Sequence, residues 1–272
     1  MSPRASASVS QVHDVAAKGF DAEPVAYESS RPSYPEAAVD QIQTELGLVP
    51  NESRVLDLGA GSGKFTRLLL PRNYHITAVE PARSMRETFT TILPEIPILD
   101  GTASSIPVES GSQDAVIVAQ AFHWFARIDT LREIHRVLKP RGRLGLIWNL
   151  EDRTAKKWVA ELRDLYEKYE MGTPQYRLGL WKEVWQTNEA QELFSKLEEA
   201  HFEHEMLCSV DMVWGRVRSK SYVACQSEEV KRALKEQVLL ALQSAEDLEL
   251  DEFATGLVRY PYKTDVFWCA KI

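Results

Sequence analysis

The run Val55-Leu56-Asp57-Leu58-Gly59-Ala60-Gly61-Ser62-Gly63 constrains this chain more than any other feature. An apolar strand over residues 54–58 meets glycines at three alternate positions, and residues 64–70 read as a helix. Such a turn lets a ligand approach the backbone, because no Cβ stands in the way. It also aims free helix N–H groups at that ligand. A phosphate-cradling loop needs G-x-x-x-x-G-K-[ST], but Leu58 and Phe65 occupy its first and last positions. A dinucleotide fingerprint needs G-x-G-x-x-G, and Lys64 or Thr66 stands where its last glycine belongs. What remains is D-x-G-x-G-x-G, whose leading acid, Asp57, suits a ligand that carries positive charge.

A second acid points the same way. Residues 75–80 read as a strand ending in Glu80, 17 positions after Gly63. In open α/β sheets an acid about 20 residues past the glycine loop accepts hydrogen bonds from ribose hydroxyls. The ligand expected here contains a nucleoside and lacks a diphosphate.

The segments VLDLGAGSGKFT, AVEPARSM, DGTASSIPVESGSQDAVIVAQAFHWF and REIHRVLKPRGRLGLI occur in this order. Together they resemble the class I S-adenosylmethionine-dependent methyltransferases, over roughly residues 20–150. The resemblance implies an α/β fold: a Rossmann-like seven-stranded sheet with helices on both faces and a helical substrate cap. It implies S-adenosylmethionine as cofactor and S-adenosylhomocysteine as product. Asp57, Gly59, Ala60, Gly61 and Gly63 are then expected to cradle the cofactor's amino-acid and ribose portion, and Glu80 to hold its ribose hydroxyls. Pro81 and Met85 would flank the adenine, with Met85 equally suited to a core position. Gly101, Thr102 and Ala103 would meet the adenine amino group, and Gln120 and Ala121 would line the cofactor.

Tyr27, Arg31 and Tyr34 belong to Y-x-x-x-R-P-x-Y-P, which resembles the N-terminal segment of the trans-aconitate-type subgroup. That segment is expected to fold over the cofactor, Tyr27 with it. The Arg31 guanidinium suits the cofactor's carboxylate as a forked, charge-assisted pair, and Tyr34 is a candidate on the substrate side. His123 lies in Gln120-Ala121-Phe122-His123-Trp124-Phe125, after the fourth expected strand. Its unperturbed pKa near neutrality suits a general base, but a packing role against Trp124 and Phe125 is favoured. Phe122, Trp124, Trp181 and Trp214 are candidates for a hydrophobic substrate wall, although Trp is mostly buried in any case. With F-H-W-F and the ending Y-K-T-D-V-F-W, the subgroup resemblance implies a fungal enzyme of detoxification or secondary metabolism. The likeness is greatest to enzymes that S-methylate reduced dithiols of the gliotoxin type. The alternatives are a carboxyl O-methyltransferase of the trans-aconitate type and a cofactor-binding regulatory protein without turnover.

Organisation and composition fit a small-molecule enzyme. Strands are expected at 54–58, 75–80, 96–100, 114–119, 142–149, 202–210 and within 256–272. Helices are expected at 12–20, 36–46, 129–138, 154–170, 189–201, 217–225 and 228–244, with a turn at 140–142. The expected division is a flexible N-terminus and first helix (1–20), a cofactor-binding core with an N-terminal lid (21–150), and a substrate cap with the last strands (151–272). The net charge of −8 argues against nucleic acid, whose binders usually carry a basic face. No apolar stretch approaches the roughly 20 residues of a membrane helix, and the polar N-terminus has no signal core. Three cysteines without a C-x-x-C pair make a disulfide framework or zinc site improbable and fit a reducing cytoplasm. No metal, no membrane partner and a monomer or weak dimer are expected.

Overall fold

The computed structural model describes residues 31–251 and 256–272; Tyr27 and the expected 12–20 helix lie outside them. Arg54–Leu58 (β1), His75–Val79 (β2), Ile98–Leu99 (β3), Gln113–Ala119 (β4), Leu138–Glu151 (β5), Glu198–Cys208 (β6) and Val258–Ala270 (β7) form one sheet. Its order is β3-β2-β1-β4-β5-β7-β6. The first five strands are parallel, and β7 runs antiparallel to both β5 and β6. β1 pairs with β2 on one side and β4 on the other, so strand order reverses at β1. Ligands of open α/β sheets bind in the crevice at such a switch point, and the glycine turn follows this strand.

The helices are Glu36–Glu45 (α1), Thr66–Leu69 (α2), Arg83–Ile92 (α3), Ile128–Val137 (α4), Lys157–Glu167 (α5), Asn188–Leu193 (α6), Val210–Arg218 (α7), Ser221–Ala224 (α8) and Glu228–Ser244 (α9). Successive strand residues alternate between two apolar layers, as a pleated strand requires. Leu144, Leu146 and Trp148 pack with Leu131 and Ile134 of α4 on one face. Ala115, Ile117 and Ile147 pack with Ile42 of α1 and Leu69 of α2 on the other. The central strands are buried on both faces, which is why they read as continuous apolar runs.

A third apolar layer, with Trp158, Leu162, Trp214, Val217, Val238 and Tyr260, joins α5, α7 and α9 to the start of β7. α7, α8 and α9 are inserted between β6 and β7. They form a cap over the carboxyl end of β5, where the buried Glu151 meets Arg216 and Lys220.

Three expectations need correction. Helix over 189–201 stops at Leu193, and the chain re-enters the sheet as β6 at Glu198. β6 is an edge strand whose charged side chains face solvent. Edge strands carry such charges against further pairing, and their polarity resembles a solvated helix face. The turn at 140–142 lies inside β5: Gln113 pairs with Leu138 but Ala115 pairs with Arg143. The surplus residues form a bulge, with Arg141 left-handed at φ 65°. Helix over 217–225 is two helices, α7 and α8, and α7 starts where Ser209 Oγ accepts from the Met212 N–H.

Phe122 belongs to this core. Its ring has no exposed surface and packs against Phe125, Trp181 and Trp185 with centroids 5.9–6.2 Å away. Phe122→Ala is therefore expected to lower stability by about 3–5 kcal/mol. Denaturant unfolding tests this, and a loss under about 1 kcal/mol would place the ring at a cavity wall instead.

Candidate active site

The glycine turn is folded around two carboxylates. Gly59 and Gly61 are left-handed, at φ 74° and 56°. A Cβ on Gly59 would stand 3.0 Å from the Ala121 Cβ, whereas Gly61 opens onto free space. Glu80, at the end of β2, accepts from the Gly61 N–H at 3.0 Å and the Ala82 N–H at 2.9 Å. It thereby ties the turn to the start of α3. Burial raises its pKa, and these two N–H groups work against that. Asp57 is wholly buried. Its Oδ2 accepts from the Thr66 hydroxyl at 2.6 Å, while Oδ1 has no hydrogen-bond partner. Burial pushes its pKa up to about 7, opposed by Thr66 and reinforced by Glu80.

A cavity opens on this turn, lined among others by Arg31, Tyr34, Gly59, Gly61, Lys64 and Gln120. Tyr34 packs edge-on against Phe65 at 5.3 Å. Burial, then Arg31 and Arg216, pushes the Lys64 pKa down to about 8. Gln120 is a non-glycine residue at φ 59°. It is held there by its N–H to the Ile147 carbonyl and its Nε2 to the Asn149 carbonyl, both at 2.8 Å. Strained backbone of this kind persists only where its surroundings over-determine it.

A second cavity lies under the cap. Its wall includes His123, Trp124, Asn149, Tyr176, Arg177 and Lys220, and it shares Arg31, Gln120 and Arg216 with the first. Arg31 also donates to the Ser219 carbonyl at 3.0 Å, joining the N-terminal segment to the cap. Trp148 Nε1–H donates to His123 Nδ1 at 3.1 Å. An indole N–H can only donate, so Nδ1 carries no proton and Nε2–H is the donor of the neutral ring. Burial, then Arg31, pushes the His123 pKa down to about 3, so the ring stays neutral. Tyr176 stacks on Trp148 at 4.4 Å and donates to Asp265 at 2.5 Å. Burial and Asp265 raise its pKa, which keeps the phenol protonated.

Residues 56–146 match a family described as a methyltransferase domain. An uncharacterized methyltransferase-like protein of Schizosaccharomyces pombe is 32% identical over 253 residues, which is 93% of this chain and 92% of that protein. The chain belongs to the class I S-adenosylmethionine-dependent methyltransferases. An uncharacterized methyltransferase of Mycobacterium tuberculosis is 45% identical over 140 residues, 52% of this chain and 55% of that protein. In fold, the methyltransferase is similar to the YcgJ protein of Bacillus subtilis, with a TM-score of 0.54 at 21% identity over 86% of this chain and 97% of that one.

The cofactor of this methyltransferase is S-adenosylmethionine, and the first cavity fits it. The unpartnered Asp57 Oδ1 answers an ammonium, Arg31 and Lys64 beside it answer a carboxylate, and Gly61 leaves room against the backbone. Of the residues expected at the cofactor, Arg31, Gly59, Ala60, Gly61 and Gln120 line this cavity. Asp57 and Glu80 are buried around its turn, and Ala121 abuts Gly59. Gly63 lies against Phe89 and Leu93. Met85 and Ala103 are core residues. Pro81 accepts from Arg86, Gly101 abuts Pro107, and Thr102 bridges to Ser105.

On the substrate side, His123 and Trp124 line the second cavity. Phe122 and Trp181 are buried in the sheet core and Trp214 in the cap core, because a large apolar ring gains most where it is wholly enclosed. Tyr34 sits at the glycine turn instead. Arg216, Lys220 and Tyr166 escaped the sequence reading. One signal for them was there: an acid, Glu151, at the end of the strongly apolar β5, which needs cations brought to it. Among the described residues no cluster could hold a metal ion, and no helix is long and apolar enough to cross a membrane.

Asp57 links the turn to pH. Between its ordinary value of 3.8 and its folded value of about 7, it binds more protons folded than unfolded. The cofactor-free protein therefore loses stability as pH rises through that window. Asp57→Asn is expected to flatten this fall, gaining at least about 1 kcal/mol near pH 7.5 relative to about pH 4.5. It should also weaken S-adenosylhomocysteine binding at least about tenfold, a loss of ~1.4 kcal/mol. Denaturant unfolding at both pH values and calorimetric titration test the pair; parallel slopes in the two proteins would remove Asp57 as the titrating group.

Proposed function

We propose that this enzyme methylates a small molecule whose nucleophile reaches the site as an anion. The Trp148–His123 hydrogen bond carries the reading, because it makes His123 a neutral donor toward the acceptor cavity and takes away the nitrogen a base would use. S-adenosylmethionine supplies an activated methyl group on a sulfonium, and the protein's part is alignment and a dry, shaped site. Asp57 would accept from the cofactor's ammonium, Arg31 would pair with its carboxylate, and Glu80, already accepting from Gly61 and Ala82, would take the ribose hydroxyls on its remaining lone pairs. Gln120 and Arg216 stand where the two cavities meet.

The first acceptor is the thiolate of a reduced dithiol of the gliotoxin type, supported by the subgroup resemblance. A thiol with a free pKa near ~8.5 ionises without a dedicated base. A carboxylate of the trans-aconitate type is the second. It is favoured by Arg31, Arg177, Arg216 and Lys220, four cationic side chains on the acceptor wall. The net charge of −8 supports a small molecule over a nucleic acid.

Mass spectrometry after incubation with S-adenosylmethionine and either a reduced dithiol or trans-aconitate tests the reading. One or two methyls on the dithiol alone assign thiol chemistry, and a methyl on the tricarboxylate alone assigns carboxyl chemistry. With either acceptor, His123→Ala is expected to keep at least about a tenth of kcat/KM. A larger fall, beyond ~1.4 kcal/mol in barrier, would restore the histidine as a base.

A further inference from the structure

The cap end of the acceptor cavity brings two buried basic side chains to one buried carboxylate. Glu151 is fully buried at the end of β5. Arg216 Nε lies 2.7 Å from its Oε1, and Lys220 Nζ donates to both oxygens at 3.0 and 3.2 Å. The other two acids of this wall are already engaged. Glu167 pairs with Arg163 and Arg177, and Glu170 with Arg177. Arg216 and Lys220, 5% and 7% exposed, therefore share one carboxylate. Burial raises the Glu151 carboxyl, but Arg216 and Lys220 more than reverse this and hold it well below the usual range. Burial, then Arg216, pushes the Lys220 ammonium down to about 7, so Arg216 is the fully charged cation of the pair.

Beside the Tyr260 and Tyr262 hydroxyls, two further donors at the same place lack partners among the described residues: Arg216 Nη1 and the Tyr166 hydroxyl. Both residues line the cavity, and the Tyr166 ring lies 4.5 Å from Lys220 Nζ. Burial, then Glu151, raises the Tyr166 pKa, so its hydroxyl remains a donor. An ion cluster that only fastened the cap to β5 would need neither free donor. Buried donors without partners are costly, and an anion entering the cavity would satisfy them and favour the charged form of Lys220.

We propose that the cap end of this cavity is an anion subsite, in which Arg216 and Tyr166, with Lys220 beside them, hold a carboxylate of the acceptor other than the atom that receives the methyl. The proposal rests on the methyl-transfer reading and, of its two acceptors, selects the one that bears several carboxylates. Forked pairing with a carboxylate is what a guanidinium is shaped for.

The test is calorimetric titration of tricarballylate, a saturated tricarboxylate, into the full chain saturated with S-adenosylhomocysteine, so that no methyl can move. S-adenosylhomocysteine affinity is measured first in every protein. Wild type is expected to bind tricarballylate, Lys220→Met to bind it at least about tenfold more weakly, and Tyr166→Phe about threefold or more. Tyr166→Phe should melt no lower than wild type, since it loses only an unpaired hydroxyl, and it keeps the test decisive if Lys220→Met fails to fold. Wild type that binds S-adenosylhomocysteine but not tricarballylate overturns the subsite alone. Equal tricarballylate affinity in wild type and Tyr166→Phe does the same. Failure to bind S-adenosylhomocysteine overturns the methyl-transfer reading together with the subsite.

Discussion

Asp57 and Glu80 bring two carboxylates, each with almost no exposed surface, to the ends of adjacent parallel strands, and the turn between β1 and α2 is folded around them. Glu80 fixes the turn by accepting from Gly61 and from Ala82 across the crevice. Asp57 leaves one oxygen unmatched and is held near its own titration point at neutral pH. Ionising a carboxylate in such surroundings is unfavourable until a cation answers it. The sheet order matters here because it places both acids at the switch point beside the free N–H groups of the turn.

Both cavities carry cationic side chains: Arg31, Lys64 and Arg216 line the first, and Arg31, Arg177, Arg216 and Lys220 line the second beside Glu167 and Glu170. Acids are also buried around the glycine turn. Arg31, Gln120 and Arg216 belong to both walls. On the proposed reading, a cationic methyl donor would face an anionic acceptor. Their reaction reduces the separation of charge, which a water-poor site of low polarity promotes.

The sheet was legible because its strands are buried on two faces and so form apolar runs bounded by turns. β1 starts and ends where the pattern does, and α9 follows its apolar period from Glu228 to Ser244. β6 was harder to read, because an edge strand alternates like a solvated helix surface. The glycine turn and Asp57 are contiguous in the chain, and Glu80 ends the next strand, so motif and geometry coincide. The cluster under the cap is different: Glu151, Tyr166, Arg216 and Lys220 are scattered along the chain and meet where the cap packs on β5. Choosing aromatic residues by type alone led to Trp181 and Trp214, which the cores claim. The tautomer of His123 is set by Trp148, 25 residues away in the chain, and no local pattern announces it.

β6 and β7 pair along their whole length down to Cys208 and Val258. The excursion through α7, α8 and α9 therefore leaves and rejoins the sheet at one rung of the ladder. A descendant of this gene that lengthens, shortens or exchanges that excursion keeps every other rung in register. Variation in length there would leave the ladder of the sheet intact, while a change at Arg216 would reach both cavities.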